Sequence, residues 1–219
     1  LSGCLGIVFV SEGNLSTGAY MIWLAAVLDF FDGLSARALK AHSNIGGELD
    51  SLADMVSFGV LPSFIVYELL KLSLPPELFY LSFTAFIIAA FSAIRLAIFN
   101  VDTRQTSSFI GLPTPASALL FSALPLSEVP FVTALLNNAI FLVLLTILIS
   151  YLLVSRIELM AFKFKNFGWH DNRYKYSFML ISLALVFALN ILAIPIVIVL
   201  YILLSVFKNT QARRAAKSS

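Results

Sequence analysis

The chain has 219 residues, 60% of them hydrophobic and only 12% charged, with a mean hydropathy of +0.95. Soluble domains carry about 25% charged residues, so the composition excludes an ordinary soluble globular domain and fits a polytopic membrane protein. A formal net charge of +2 is too small to mark a nucleic-acid partner, and a single cysteine, Cys4, excludes an intramolecular disulfide and a cysteine-based metal site.

Leu1 to Val10 supplies about half of the roughly 20 apolar residues that a membrane crossing needs. It reads as the outer half of a first helix, with an N-terminal segment expected before it. A polar turn follows at Ser11 to Ser16, where Gly13 and Asn14 break the helix. A second span over about Thr17 to Phe31 continues through Leu34 to His42 as a helical extension carrying Arg37 and Lys40. Ser43 and Asn44 are placed to cap the next helix.

Between these two spans lies the richest stretch of the chain: Asp29-Phe30-Phe31-Asp32-Gly33-Leu34-Ser35-Ala36-Arg37, eight residues, then Gly46-Gly47-Glu48-Leu49-Asp50-Ser51-Leu52-Ala53-Asp54. An uncompensated carboxylate in hydrocarbon costs about 2.5 kcal/mol or more, so four of them need a partner. Asp29 and Asp32 are three apart and Asp50 and Asp54 four apart, so on helices each pair projects from one face. Two such faces opposed form an oxygen-rich cage for hard divalent cations, Mg²⁺, Mn²⁺ or Ca²⁺, with room for two, rather than for zinc. Gly33, Ala36 and Gly46 fall on the same faces and let a ligand or a second helix approach the backbone. Arg37 offers a planar positive fork. The ensemble describes a metal-bridged diphosphate site. The competing reading, four solvated interfacial aspartates, does not account for their helical spacing.

Written as D-x-x-D-G-x-x-A-R, eight residues, G-x-x-x-D-x-x-x-D, the stretch resembles the signature of the CDP-alcohol phosphotransferases. Every position is present, in Asp29, Asp32, Gly33, Ala36, Arg37, Gly46, Asp50 and Asp54. The resemblance implies that Asp29, Asp32, Asp50 and Asp54 hold two divalent cations across the diphosphate of a CDP-linked lipid. It places Gly33, Ala36, Arg37 and Gly46 at the nucleotide and gives Asp54 the role of taking a proton from the acceptor hydroxyl. A homodimer is also implied.

A third span runs from about Ile45 to Leu70, a loop with Pro75 and Pro76 follows, and a fourth span covers about Leu78 to Phe99. Pro113 or Pro115 can begin the fifth, since a first-turn proline loses no hydrogen bond, and it ends near Leu126. The sixth covers about Leu135 to Val154. From Ser155 to Lys175, Arg156, Lys163, Lys165, Arg173 and Lys175 alternate with Phe162, Phe164, Phe167 and Trp169, an interfacial belt facing anionic lipid rather than a nucleic-acid surface. The final apolar block, Tyr176 to Phe207, is basic on both sides. Two short spans folded at about Asn190 to Pro195 put both flanks in the cytosol. His42 and His170 stand alone, without metal or catalytic spacing.

The expected fold is therefore an all-α polytopic membrane bundle of about eight spans, the first incomplete. Residues 1–175 form a six-helix core with a cytosol-facing site, and residues 176–219 form a helical hairpin and basic tail, in a prokaryotic inner membrane. Arg95-Leu96-Ala97-x-Phe99-Asn100-Val101, followed by Phe109-x-Gly111-Leu112-Pro113-x-Pro115-Ala116, is similar to the bacterial and archaeal phosphatidylserine synthase branch of the family. That likeness implies CDP-diacylglycerol and L-serine as substrates and CMP as product. Arg95 is placed to pair with the serine carboxylate and Asn100 to bond its polar groups, with backbone N–H groups of the Gly111 to Pro115 turn facing the pocket. A phosphatidylglycerophosphate or phosphatidylinositol-type synthase would use the same cage, and a small transporter would use the acids as an ion path.

Overall fold

The computed structural model describes residues 1–39, 43–102, 108–160 and 168–217. Lys40, His42, Phe162, Lys163, Phe164, Lys165 and Phe167 lie outside them. Helix α1 (Ser2–Ser11) turns through Gly13, whose φ is +85°, into α2 (Leu15–Leu39), where the Asn14 side chain accepts from the Thr17 N–H at 3.0 Å. The two helices pack closely because Gly18 faces Val10: a Cβ at Gly18 would lie 2.2 Å from a Val10 methyl.

The third span is one continuous helix in three parts. Helix α3 (Asn44–Asp54) starts on a Ser43 cap, the hydroxyl accepting from the Gly46 N–H at 3.0 Å, as the sequence led us to expect. A π-helical segment follows directly after Asp54, over Met55–Val60, and α4 (Leu61–Ser73) completes the span. Within the π segment the Leu61 N–H reaches back to the Val56 carbonyl, and the Ser63 hydroxyl donates to the Gly59 carbonyl at 2.7 Å. α4 is the centre of the core. Its Leu61, Ile65 and Leu70 are fully buried with Phe58, Ile22 of α2 and three residues introduced below, Ile88, Phe121 and Leu142.

A 3₁₀ segment (Pro76–Phe86) leads into α5 (Ile87–Val101), tied back to α4 by the rings of Phe64, Tyr67, Phe79, Phe83 and Phe86. Helix α6 (Thr114–Ala123) starts with Pro115 in its first turn. Helices α7 (Pro130–Leu136) and α8 (Ala139–Val154) meet at 84°. Two three-residue strands, β1 (Ser108–Ile110) and β2 (Glu158–Met160), pair antiparallel with Phe109 opposite Leu159. No alternating pattern in the sequence announces them.

The last helices, α9 (Trp169–Leu189) and α10 (Ala193–Lys217), form a hairpin. The Phe178 and Tyr201 rings, far apart in sequence, lie 5.7 Å apart, so the chain reverses between them. The reversal is at Asn190, the one non-glycine with positive φ (+49°) among the described residues. With ψ at −122° Asn190 lies outside the left-handed helical well, in the conformation that glycine favours at the first central position of a type II′ turn, and a β-branched residue there is strained by roughly 1–3 kcal/mol. Asn190→Val is therefore expected to lower the melting temperature in detergent, with Asn190→Gly near wild type.

The all-helical membrane architecture holds, whereas a count of about eight spans is not confirmed. Four helices among the described residues are long and apolar enough to cross a bilayer, or five if the bent α7–α8 pair acts as one. One of the four, Asn172–Phe207, is the block that folds back on itself. α1 and α6, at 10 residues each, fall short of the roughly 20 required. Large apolar side chains face outward, Phe187 at 80% and Leu180 at 74% exposure, as a lipid-facing surface allows.

Candidate active site

Asp29 sits on α2, and Asp50 and Asp54 sit one turn apart on α3. One carboxylate oxygen from each lies within 4.8 Å of the other two. Two unit charges at that separation repel by about 3 kcal/mol at an effective dielectric of 20, and among the described residues none of the three forms an ion pair. Hard oxygen donors, gathered and uncompensated, fit a divalent cation. Asp32 stands outside this tight trio, yet all four aspartates line one cavity of about 270 Å³, together with Ala53, Ser57 and Phe58.

The π-helical segment fixes this geometry from beneath. Ser57 is packed against α1, where a Cβ on Gly3 would lie 2.8 Å from the Ser57 hydroxyl. Gly59 is packed against α5, where a Cβ would lie 3.0 Å from that of Ser92. Extra-residue turns of this kind recur at functional sites. Nothing local in the sequence marks this one.

The other signature positions do not line the cavity. Gly33 is exposed with open space over its Cα, Ala36 is half-buried, and Arg37 is exposed in the last turn of α2. The Gly46 N–H is engaged by the Ser43 cap.

A second cavity of about 130 Å³ shares one wall with the first, because Asp54 lines both. Its other walls are Arg95, Leu96, Phe99, Pro113, Thr114 and Pro115. Arg95 is only 4% exposed, its guanidinium carbon lies 5.4 Å from the Phe99 ring centre, and its Nε makes no hydrogen bond. A buried guanidinium with donor capacity to spare attracts a small anionic group. Phe99 and Thr114 were not singled out as site residues from the sequence. Phe99 lies one helical turn beyond Arg95, and Thr114 lies between the two prolines.

Two sequence expectations around this pocket meet a different geometry. Asn100 is exposed, does not line the pocket, and donates from Nδ2 to the Ser51 hydroxyl at 3.0 Å, tying α5 to α3 beside Asp50. The N–H groups of Gly111 and Leu112 do not face the pocket either. Gly111 donates to the Ile157 carbonyl and Leu112 to the Leu152 carbonyl, both at 2.9 Å. Backbone donors this well buried are paired before any ligand arrives.

Comparison with known proteins identifies the family. Residues 2–207 match the family model described as CDP-alcohol phosphatidyltransferase. The chain is similar to the CDP-diacylglycerol–serine O-phosphatidyltransferase of Bacillus subtilis, 34% identical over 163 residues, covering 74% of this chain and 85% of the relative. It is similar to the Helicobacter pylori protein of the same name, 30% identical over 216 residues, covering 94% and 85% respectively. The archaetidylserine synthase of Methanothermobacter thermautotrophicus is 32% identical over 161 residues, covering 72% of this chain and 64% of that one.

Proposed function

Because the chain belongs to the CDP-alcohol phosphatidyltransferase family, we propose that it transfers the phosphatidyl group of CDP-diacylglycerol to L-serine, giving phosphatidylserine and CMP. The observation that carries this reading is that Asp54 is the shared wall of an acidic cavity and of a pocket holding a buried guanidinium. The first has the donor set for a diphosphate with its cations, and the second has the size and charge for a small amino-acid acceptor. The names of the relatives support serine.

In this reading Asp29, Asp32, Asp50 and Asp54 hold two divalent cations, Mg²⁺ or Mn²⁺. When bound, these offset the charge of the diphosphate and of the departing CMP. Gly33, Ala36, Gly46 and Arg37 border the nucleotide. Arg95 fixes the serine carboxylate, so that the hydroxyl points toward Asp54. Asp54 takes the hydroxyl proton as the oxygen bonds to the phosphorus carrying diacylglycerol, and the bond from that phosphorus to the CMP oxygen breaks. Asn100 acts through Ser51, holding α3 against α5. The basic residues Arg156, Arg173 and Lys175 support a site facing the cytosol, in the inner membrane of a prokaryote. A homodimer follows from the family likeness.

The test is purified protein with CDP-diacylglycerol, Mn²⁺ or Mg²⁺ and a panel of alcohols, scoring lipid product and CMP. Phosphatidylserine and CMP in equal amounts are expected. Product from glycerol phosphate or inositol instead would assign a different acceptor, and no CMP from any alcohol would sink the enzymatic reading in favour of an ion-path protein. Arg95→Lys keeps the charge and loses the planar fork. It is expected to raise the KM for serine about 10-fold or more, the effect of weakening one charge-assisted hydrogen bond, with the KM for CDP-diacylglycerol unchanged. An equal rise in both would remove Arg95 from the acceptor site.

A further inference from the structure

One wall of the Arg95 pocket is Pro113, Thr114 and Pro115, the cap and first turn of α6. On its C-terminal side the Pro113 carbonyl accepts from the Ser117 N–H, and since the two prolines have no N–H to give, on its N-terminal side the segment is held through the residues just before it. Gly111, at φ +79°, donates to the Ile157 carbonyl, and Leu112 donates to the Leu152 carbonyl. Ile110 pairs with Glu158 in the β1–β2 ladder. On its N-terminal side the acceptor wall is thus tied to residues 152–158, the end of α8 and the start of β2. The approach is close: a Cβ at Gly111 would lie 2.4 Å from the Leu153 carbonyl.

That support is itself fastened at one further point. The Glu158 carbonyl accepts a hydrogen bond from the Asn209 side chain, which arrives from the far end of α10. The hairpin contributes no residue to the Arg95 pocket or to the acidic cavity. It packs directly on α6, whose first turn carries Thr114 and Pro115, and the Asn209 bond adds a second link through β2.

We propose that Asn209 is a positioning residue, latching β2 so that the Pro113–Pro115 wall keeps its register against Arg95, and that the C-terminal hairpin thereby sets affinity for the acceptor alcohol. The inference rests on the reading of the Arg95 pocket as the acceptor site. Asparagine is suited to the task because its amide donates to a backbone carbonyl without carrying a charge.

The experiment compares wild type, Asn209→Ala, Asn209→Asp and Asn209→Gln in the full chain, in detergent with CDP-diacylglycerol and Mn²⁺. Hydrogen exchange of the 108–113 backbone is measured beside the KM values for serine and CDP-diacylglycerol. Asn209→Ala and Asn209→Asp are expected to speed exchange at 108–113 but not at 50–60. They are also expected to raise the serine KM about 2- to 12-fold, the worth of one net hydrogen bond, while the CDP-diacylglycerol KM and the melting temperature stay near wild type. Asn209→Gln, which can still donate, should recover part of both effects. Unchanged exchange overturns the latch whatever the activity. Faster exchange with an unchanged serine KM, or with both KM values rising together, overturns the positioning role. Failure of the wild type to use serine would instead overturn the proposed function, and the exchange arm would still decide the latch.

Discussion

Asp54→Asn is expected to lower turnover by about 10²- to 10⁴-fold, the usual contribution of a positioned general base, while CDP-diacylglycerol binding is largely kept. The amide has nearly the same shape as the carboxylate and cannot take the serine proton. Asp29 and Asp50 remain to hold cations, which is why donor binding should survive. Asp54 alone among the aspartates also lines the Arg95 pocket, so substitution of Asp50 should act differently, weakening cation and donor binding together. Titrating donor binding by calorimetry beside a CMP-release assay separates the two. Normal turnover in Asp54→Asn would remove it as the base.

Chelation should abolish activity, and it should also lower stability. Three carboxylates within 4.8 Å on two different helices push α2 and α3 apart unless a cation holds them. A cation that binds only the folded protein adds about 2.7 kcal/mol at 100 times its dissociation constant. Adding Mg²⁺ or Mn²⁺ to chelator-treated protein is therefore expected to raise the melting temperature by several degrees and to restore CMP release. The shift should shrink sharply in Asp50→Asn. A melting temperature indifferent to divalent ions, in protein whose activity also ignores them, would mean that the trio holds no metal.

Legibility in the sequence followed the range of the interaction. The aspartates could be placed because helical spacing is local: three or four residues fix one face, and Asp29, Asp50 and Asp54 do converge. The Ser43 cap and the reversal at Asn190 were legible for the same reason. The β1–β2 pair was not, since three-residue strands from distant loops carry no periodicity and owe their pairing to the ends of α5 and α8 that bring them together. Asn100 was assigned by its place in a motif, and its partner Ser51 could be found only once α3 and α5 were side by side. The Gly111 and Leu112 amides are spent on the end of α8 for the same long-range reason. The count of about eight spans is not confirmed, because among the described residues an apolar run such as α6 folds into a helix shorter than a bilayer crossing needs.

The wide turn at Met55–Val60 has a consequence for how one rod serves two environments. Each residue advances a helix by about 100°, so an added residue throws the part before it out of phase with the part after it. The acidic end can then look toward α2 while the oily end keeps Leu61, Ile65 and Leu70 turned to the interior. In an undistorted rod Asp54 and Leu61, seven residues apart, would lie within about 20° of one another, so the acids and the core residues would crowd onto one face. The cost of an irregular turn is what lets charge and oil share a single span.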